Sequence, residues 1–593
     1  MRERSTRWPS VGSGRAELLL LSLLVGVGAG LGAVVFRNLI KWLTTLFSGF
    51  ADYAGHGHVA NPHLPGFGRW FVVLAPVVAG LLYGPLVYRF AREARGHGVP
   101  EVMLAVARNG GRIRPRVAIV KALASALCIG GGGSVGREGP IVQIGSALGS
   151  SLAQLRKLDE RRIRLLVACG AAGGIAATFN APLAGVFFAM ELILRRWEAE
   201  SFGIVVLSSV TSSIIGRAIL GDAPFLRLPA FHVEHTLQYP LFAVLGVVAG
   251  LVGVAFSRIL YTIEDACDWA WRGPEWLRPA VGGLLLGGLL LVMPEMYGVG
   301  YPVLGRAVAG GYAITFLLAL LIGKLLACSL TIGIGGSGGV FAPSLFCGAM
   351  AGAAFGDVVH AISPSMAGNV GAYALVGMGA VFAGAARAPI TAVVIMFELT
   401  GEYTIILPLM LAIVLAAGVS RLVSADTVYT RKLLRRGVDI DEPADAVLRR
   451  TPVTEVMSPP PAGVSCDASL TDAAERFAVS RDFALPVGDA QGRFLGTIAA
   501  HDVLDALAAG ENTSVTALTR GVDPLPRDAS IGQVLKLLDA GAGGVAIADE
   551  NGTVVGWVRH RDVLAKAIAP TSGTSAPVRP AAQREVAEAG AAA

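Results

Sequence analysis

The chain has 593 residues, of which 53% are apolar and only 16% charged, against the roughly 25% charged expected of a soluble domain. That composition excludes a wholly soluble protein. The net charge of +6 comes without a basic run interleaved with aromatics, so nucleic acid is excluded as a partner.

In chain order, Arg2, Arg4, Arg7 and Arg15 open the sequence and an apolar run at 18–36 follows. Positive charges resist translocation, which predicts a cytoplasmic N-terminus. The run is followed by others and lacks a small-residue cleavage site, so it reads as a first membrane helix and not as a removed signal peptide. Further apolar runs at 70–87, 239–256, 313–327 and 405–419 predict a helix bundle in lipid. Several fall short of the ~20 residues an upright span needs, and many are broken by Gly or Pro. Helices that stop inside the membrane usually surround a binding site. Arg431, Lys432, Arg435 and Arg436 follow the last run and predict a cytoplasmic C-terminal flank. Cys128, Cys169, Cys328 and Cys347 lie in apolar segments and read as packing residues; with Cys267 and Cys466 they show no metal-type spacing.

The chain repeats itself. Lys121, Ser134, Gly136, Pro140, Gly145 and Gly149 recur as Lys324, Ser337, Gly339, Pro343, Gly348 and Gly352, all shifted by 203. Gly170, Ala181, Pro182 and Glu191 recur as Gly377, Ala388, Pro389 and Glu398, shifted by 207. Duplicated membrane units meet at a pseudo-two-fold axis with the substrate at their interface. Each copy carries a Gly-rich loop opening a helix, Gly-Gly-Gly-Ser-Val-Gly-Arg-Glu-Gly-Pro at 131–140 and Gly-Gly-Ser-Gly-Gly-Val-Phe-Ala-Pro at 335–343, and Gly-His-Gly-Val-Pro at 96–100 is a third. Glycines let amide hydrogens converge, and with the positive end of the helix dipole they suit an anion. Glu138, an acid beside such a helix start, would compete directly with a bound anion.

Gly-Arg-Glu-Gly-Pro (136–140) followed by Gly-Val-Phe-Ala-Pro (339–343) resembles the paired motifs of the CLC family of chloride channels and chloride/proton exchangers, and the resemblance runs from Gly96 to Tyr429. It implies an inverted repeat with broken helices and a homodimer with one pore per subunit. It implies that Glu138 is the gate, that His97, Gly98, Val99, Val340 and Phe341 line the anion sites, and that Tyr429 donates its hydroxyl to the anion. Two positions depart from the family. His97 stands where Ser is common, offering an imidazole in place of a hydroxyl. Leu192 stands where exchangers carry a glutamate on the proton path, and leucine cannot carry a proton. Glu191, by contrast, recurs as Glu398, which suggests a structural task such as holding a helix end.

From about Val438 the composition turns to mixed charge, and Asp489, Gly492, Gly496, Asp502, Val503 and Leu504 recur as Asp549, Gly552, Gly556, Asp562, Val563 and Leu564, shifted by 60. Each unit reads as a helix, two short strands joined by a Gly turn, and a closing helix. This resembles a tandem pair of CBS domains, which implies adenine nucleotide as a ligand, with Asp502 and Asp562 accepting ribose hydroxyls. Nucleotide-binding members usually place Ser or Thr three residues earlier, where this chain has Ala499 and Arg559, so the two aspartates also read as helix caps. The tail at 570–593, rich in Ala, Pro, Ser and Thr, reads as disordered.

The expected fold is an all-α polytopic membrane protein plus a cytoplasmic α/β tandem CBS domain. Its expected parts are a cytoplasmic N-terminus (1–17), a transmembrane domain (18–436, with halves at about 18–220 and 235–430), a linker (437–449), two CBS units (450–510 and 511–569) and the tail. The expected function is a passive, voltage-gated-type chloride channel in the plasma membrane, with the chloride/proton antiporter of the same family as the alternative. A CBS-containing membrane sensor or cation transporter is more distant, because convergent amides, not clustered carboxylates, dominate the spans. An enzyme is not expected: no nucleophile elbow, His/Cys/Asp cluster or phosphate-binding Lys motif is present. Expected partners are chloride or another small anion, lipid and a second copy of the chain, with no metal and no cofactor beyond a nucleotide on the CBS pair.

Overall fold

The computed structural model describes residues 11–568 apart from 64, 222–235, 237, 365–367, 402, 441–449, 481, 512, 550 and 551. The tail at 570–593 and most of the linker therefore lie outside the described residues. The chain divides into two compact units, Met1–Asp439 and Ile440–Ala593.

The first unit is helical. Its first half runs α1 (Val11–Ser48), α2 (Phe71–Phe90), α3 (Val99–Arg108), α4 (Arg116–Gly130), α5 (Glu138–Leu155), α6 (Glu160–Phe179), α7 (Pro182–Phe188, continued by a π turn at Ala189–Leu194) and α8 (Ala199–Leu220). Its second half repeats the series as α9 (Gln238–Ala270), α10 (Arg278–Val292), α11 (Tyr301–Val308), α12 (Ile314–Gly333), α13 (Phe341–Ile362), α14 (Val370–Ala386), α15 (Pro389–Thr400) and α16 (Ile406–Val423), and α17 (Thr430–Leu434) closes the unit. Among the described residues eight helices are long and apolar enough to cross a membrane, and exposed Leu and Val line α1, α2 and α16 as lipid-facing surfaces do.

The repeated glycines mark where helices cross. A Cβ on Gly145 of α5 would strike the Gly170 carbonyl of α6, and one on Gly170 would strike that of Gly145. Gly348 of α13 and Gly377 of α14 make the same reciprocal contact. Only glycine allows backbones so near, and close backbone approach is what holds helices together where lipid supplies no hydrophobic drive.

The second unit is two α/β modules. In the first, β1 (Val464–Ser465) pairs in parallel with β2 (Ala484–Gly488), which pairs antiparallel with β3 (Phe494–Ala499). In the second, β4 (Leu525–Pro526), β5 (Val545–Ala548) and β6 (Val554–Val558) repeat that order. The helices are α18 (Leu470–Ser480) and α19 (Ala500–Ala508) in the first module, α20 (Val515–Leu518), then α21 (Ile531–Asp539) and α22 (His560–Ile568). The register shifts at Val487/Gly488 and again at Ile547/Ala548, 60 residues on, as the sequence repeat requires. The modules exchange leading segments: Val453 packs in the core of the second, with Ile531 and Val558, and Val515 in that of the first, with Leu485 and Ile498.

Candidate functional site

The Gly-rich loops meet. Gly136 and Gly339 exchange backbone hydrogen bonds, 2.7 Å from the Gly136 amide and 2.6 Å from the Gly339 amide. Gly96 donates to the Gly336 carbonyl at 2.9 Å and accepts from the Gly338 amide at 3.3 Å. These bonds bring the starts of α3, α5 and α13 to one region, as the sequence reading required. A fourth loop joins them: Gly-Val-Gly-Tyr-Pro at 298–302 opens α11 as Gly-His-Gly-Val-Pro at 96–100 opens α3. Gly98 has φ 80° and Gly300 has φ 88°, left-handed backbone that favours glycine.

Two buried lysines brace these loops. Lys121 Nζ donates to the carbonyls of Ala94 and Gly96, at 2.9 and 2.7 Å. Lys324, its repeat, donates to the carbonyls of Gly298 and Val299, at 3.1 and 2.9 Å, and to Ser134 Oγ at 2.9 Å. Ser337 Oγ ties the third loop in by donating to the Ala94 carbonyl at 2.7 Å.

Glu138, the first residue of α5, is buried. Its Oε1 accepts from the Tyr301 hydroxyl at 3.0 Å and its Oε2 faces the Ala342 amide at 3.4 Å. The carboxylate thus lies on the first turn of α13, whose leading amides have no acceptor within their own helix. Val340 and Phe341 sit at that helix start. Arg137 lies with its guanidinium 5.2 Å from the centre of the Tyr301 ring. A cavity of about 440 Å³ is lined by Tyr301 and Arg137, with Arg37, Lys41, Asp52 and Arg217 among others. Tyr301 escaped the sequence reading because its helix is short; comparing the chain with itself at a shift of 202 would have aligned its loop with 96–100.

His97 and Tyr429 are both buried, with ring centres 6.3 Å apart. The residue before Tyr429 is pinned twice: the Val428 amide donates to the Ala385 carbonyl at 2.9 Å, and its carbonyl accepts from the Tyr261 hydroxyl at 2.7 Å. Gly98 is the residue preceding α3. The Val99 amide donates to the His97 carbonyl at 3.0 Å, so it is engaged within the loop itself.

Leu192 is buried on the π turn that continues α7, and this turn packs against α3. Its neighbour Glu191 accepts from the amides of Ile390 and Thr391, at 3.2 and 2.8 Å, and from Thr391 Oγ1 at 2.7 Å. Glu398 does the same for α7, accepting from the amides of Leu183 and Ala184 at 2.9 and 2.7 Å. Each carboxylate holds the start of the other half's helix, the task its repetition suggested, and a carboxylate there complements the helix dipole.

In the second unit, Asp562 accepts from the Arg559 amide at 3.0 Å, a helix-cap contact. Asp502 pairs with Arg520 at 3.1 Å and with His501 at 3.1 Å. Arg559 bridges the two modules: its Nε and Nη2 donate to the two oxygens of buried Asp482, at 2.6 and 3.0 Å.

Comparison with known proteins follows these residues. The model of the voltage gated chloride channel family matches residues 79–421, and the CBS domain model matches 453–509 and 515–568. A putative chloride channel protein, ClcB-like, of Ralstonia nicotianae is 33% identical over 427 residues, covering 71% of this chain and 98% of that protein. The H+/Cl− exchange transporter ClcA of Vibrio vulnificus is 34% identical over 445 residues, covering 73% and 92%. The crystal structure of a slow cyanobacterial Cl−/H+ antiporter matches with a TM-score of 0.63 at 26% identity, covering 71% of this chain and 97% of that one. The chain therefore belongs to the voltage-gated chloride channel (CLC) family of multi-pass membrane anion transport proteins, and it carries a tandem CBS domain.

Proposed function

We propose that this protein exchanges chloride for protons across the plasma membrane. The observation that carries the reading is the Glu138 carboxylate lying on the first turn of α13, held by Tyr301 and the Ala342 amide. An anionic group on orphan amides occupies a seat that a chloride could take. When a proton neutralises it, or chloride displaces it, the seat is vacated, so one residue handles both ions. The basic cavity lined by Tyr301 and Arg137 collects anions from solution. Gly98, Val340, Phe341 and the Tyr429 hydroxyl line the path beyond, with His97 among them.

The exchange names of the Vibrio and cyanobacterial relatives favour antiport over the passive channel expected from Leu192. That channel remains the second reading, because Leu192 removes the acid through which protons would arrive. Each subunit of a homodimer carries its own pathway, both termini face the cytoplasm, and the protein is not an enzyme. The CBS pair regulates transport without an adenine nucleotide where Arg559 bridges the modules.

The test is the reversal potential of purified protein in vesicles under a fixed chloride gradient, with and without a pH gradient. Exchange predicts a potential that moves with pH. It also predicts that Glu138→Gln keeps chloride flux and abolishes proton movement. A potential resting at the chloride equilibrium value whatever the pH would replace exchange by the channel.

A further inference from the structure

The neutral and protonated forms of His97 present opposite character to an anion. Its Nε2 lies 3.4 Å from the Tyr261 hydroxyl. That hydroxyl donates its single proton to the Val428 carbonyl at 2.7 Å, so it meets the ring with an oxygen lone pair and Nε2 must carry a hydrogen. In the neutral ring Nδ1 is then a bare lone pair. It is buried and has no hydrogen-bond partner, although buried polar atoms ordinarily have one. A lone pair repels chloride; the same nitrogen bearing a proton donates to it.

From α4, Lys121 holds the Gly96 carbonyl at 2.7 Å. From α17, Lys432 lies so close to Gly96 that a Cβ there would overlap its Nζ. Arg436 pairs with Glu101 of α3 at 2.8 Å. From α9, Tyr261 faces Nε2 and itself lies beneath Arg431 and Arg435, at 5.7 and 5.2 Å. From α5 come Gly139, which the His97 carbonyl abuts, and the neutral Gln143, with Glu138 one residue before Gly139. Tyr429 completes the enclosure. A further positive charge is unwelcome among these cations unless an anion arrives with it, and an anion is unwelcome beside a lone pair unless a proton covers it.

We infer that His97 makes the anion site at the start of α3 a paired site, which chloride enters together with a proton on Nδ1. The inference rests on the anion path proposed above, and it gives the departure from serine at this position a chemical consequence. Binding of the two ions is reciprocal: acid tightens chloride, and chloride draws a proton onto the ring. The only bond made is Nδ1–H, at the expense of the proton's bond to a solvent donor, and the proton returns to solvent when chloride leaves.

The experiment is calorimetric titration of chloride into the purified full chain, in buffers of different ionisation enthalpy and at a series of pH values from acid to alkaline. Glu138 also exchanges a proton, so the decisive protein is Glu138→Gln with His97 intact. It should take up protons as chloride binds, and its affinity should fall by up to about tenfold per pH unit on the alkaline side. The double variant Glu138→Gln, His97→Ser should bind chloride with no proton uptake and no such slope. Chloride binding by Glu138→Gln without proton uptake, or uptake that survives in the double variant, overturns the paired site while leaving the anion path intact. Absence of chloride binding in the wild-type chain overturns both.

Discussion

The two halves of the membrane unit are built alike and act differently, and the difference separates frame from function. Under the 203- and 207-residue shifts Lys121 meets Lys324, the glycines at the helix crossings meet one another, and Glu191 meets Glu398. Every one of these braces a loop, a crossing or a helix start. Glu138, in contrast, meets Phe341 under the 203 shift, and under the 202 shift His97 meets Val299 and Tyr301 meets Val99. The unmatched polar side chains are those that cluster along the proposed path. A duplicated scaffold must keep its frame in both copies to keep the axis, while the path needs its gate once.

The harshest way to break this comparison is to attack the frame. Lys324→Met strips the donor from two buried carbonyls and a serine hydroxyl, and Lys121→Met from two carbonyls. Each buried group left unpaired costs about 1–3 kcal/mol; the Ala94 and Gly96 carbonyls keep bonds from Ser337 Oγ and the Gly338 amide, so both variants should lose thermal stability in detergent, Lys324→Met by the larger amount. Collapse of one and indifference of the other would mean that the copies do not share a frame.

A smaller effect is expected where the halves differ. Tyr301→Phe removes one hydrogen bond to the Glu138 carboxylate and leaves the ring beneath Arg137 in place. A bond to a charged group is worth about 1.5 kcal/mol or more, enough to shift the ratio of seated to displaced carboxylate roughly tenfold. Chloride flux at neutral pH should rise, and thermal stability should stay near that of the parent. Flux unchanged at every pH would show that the tyrosine packs beside the gate without holding it.

Much of this was legible in the sequence because duplication writes it twice. The shared shift exposed the frame, the Gly-rich loops announced helix starts with free amides, and the recurrence of Glu191 pointed to its helix-holding task. What was not legible depends on contacts between distant, unrepeated residues. Tyr301 and Glu138 are 163 positions apart, and nothing in either segment names the other. The bond between Tyr261 and Val428, which sets the tautomer of His97, spans 167. The engagement of the Val99 amide by its own loop is a detail of backbone bending that residue types leave open. In the second unit, periodicity showed helices and strands, but which core Val453 or Val515 would join depended on the chain crossing between modules.

The CBS pair extends the comparison to a second duplication and gives its mildest test. Under the 60-residue shift Arg559 meets Ala499 and Asp482 meets Ala542, so the ion pair that bridges the modules is again unrepeated. It stands where nucleotide-binding members usually offer a hydroxyl, and its two parallel hydrogen bonds at 2.6 and 3.0 Å have the forked geometry that makes arginine and carboxylate hard to separate. A nucleotide entering there would have to break the pair and leave Asp482, 5% exposed at its side chain, with the single contact from Arg561 at 3.2 Å, a loss that its own contacts must first offset. ATP added to the full chain should therefore produce no saturable binding heat and no shift in the unfolding temperature. The double variant Asp482→Asn, Arg559→Thr, which removes the pair and restores a hydroxyl, should gain weak nucleotide binding. Saturable binding by the wild-type chain would break the rule drawn from the membrane unit, because an unrepeated pair would then sit beside a working ligand site without deciding what it accepts.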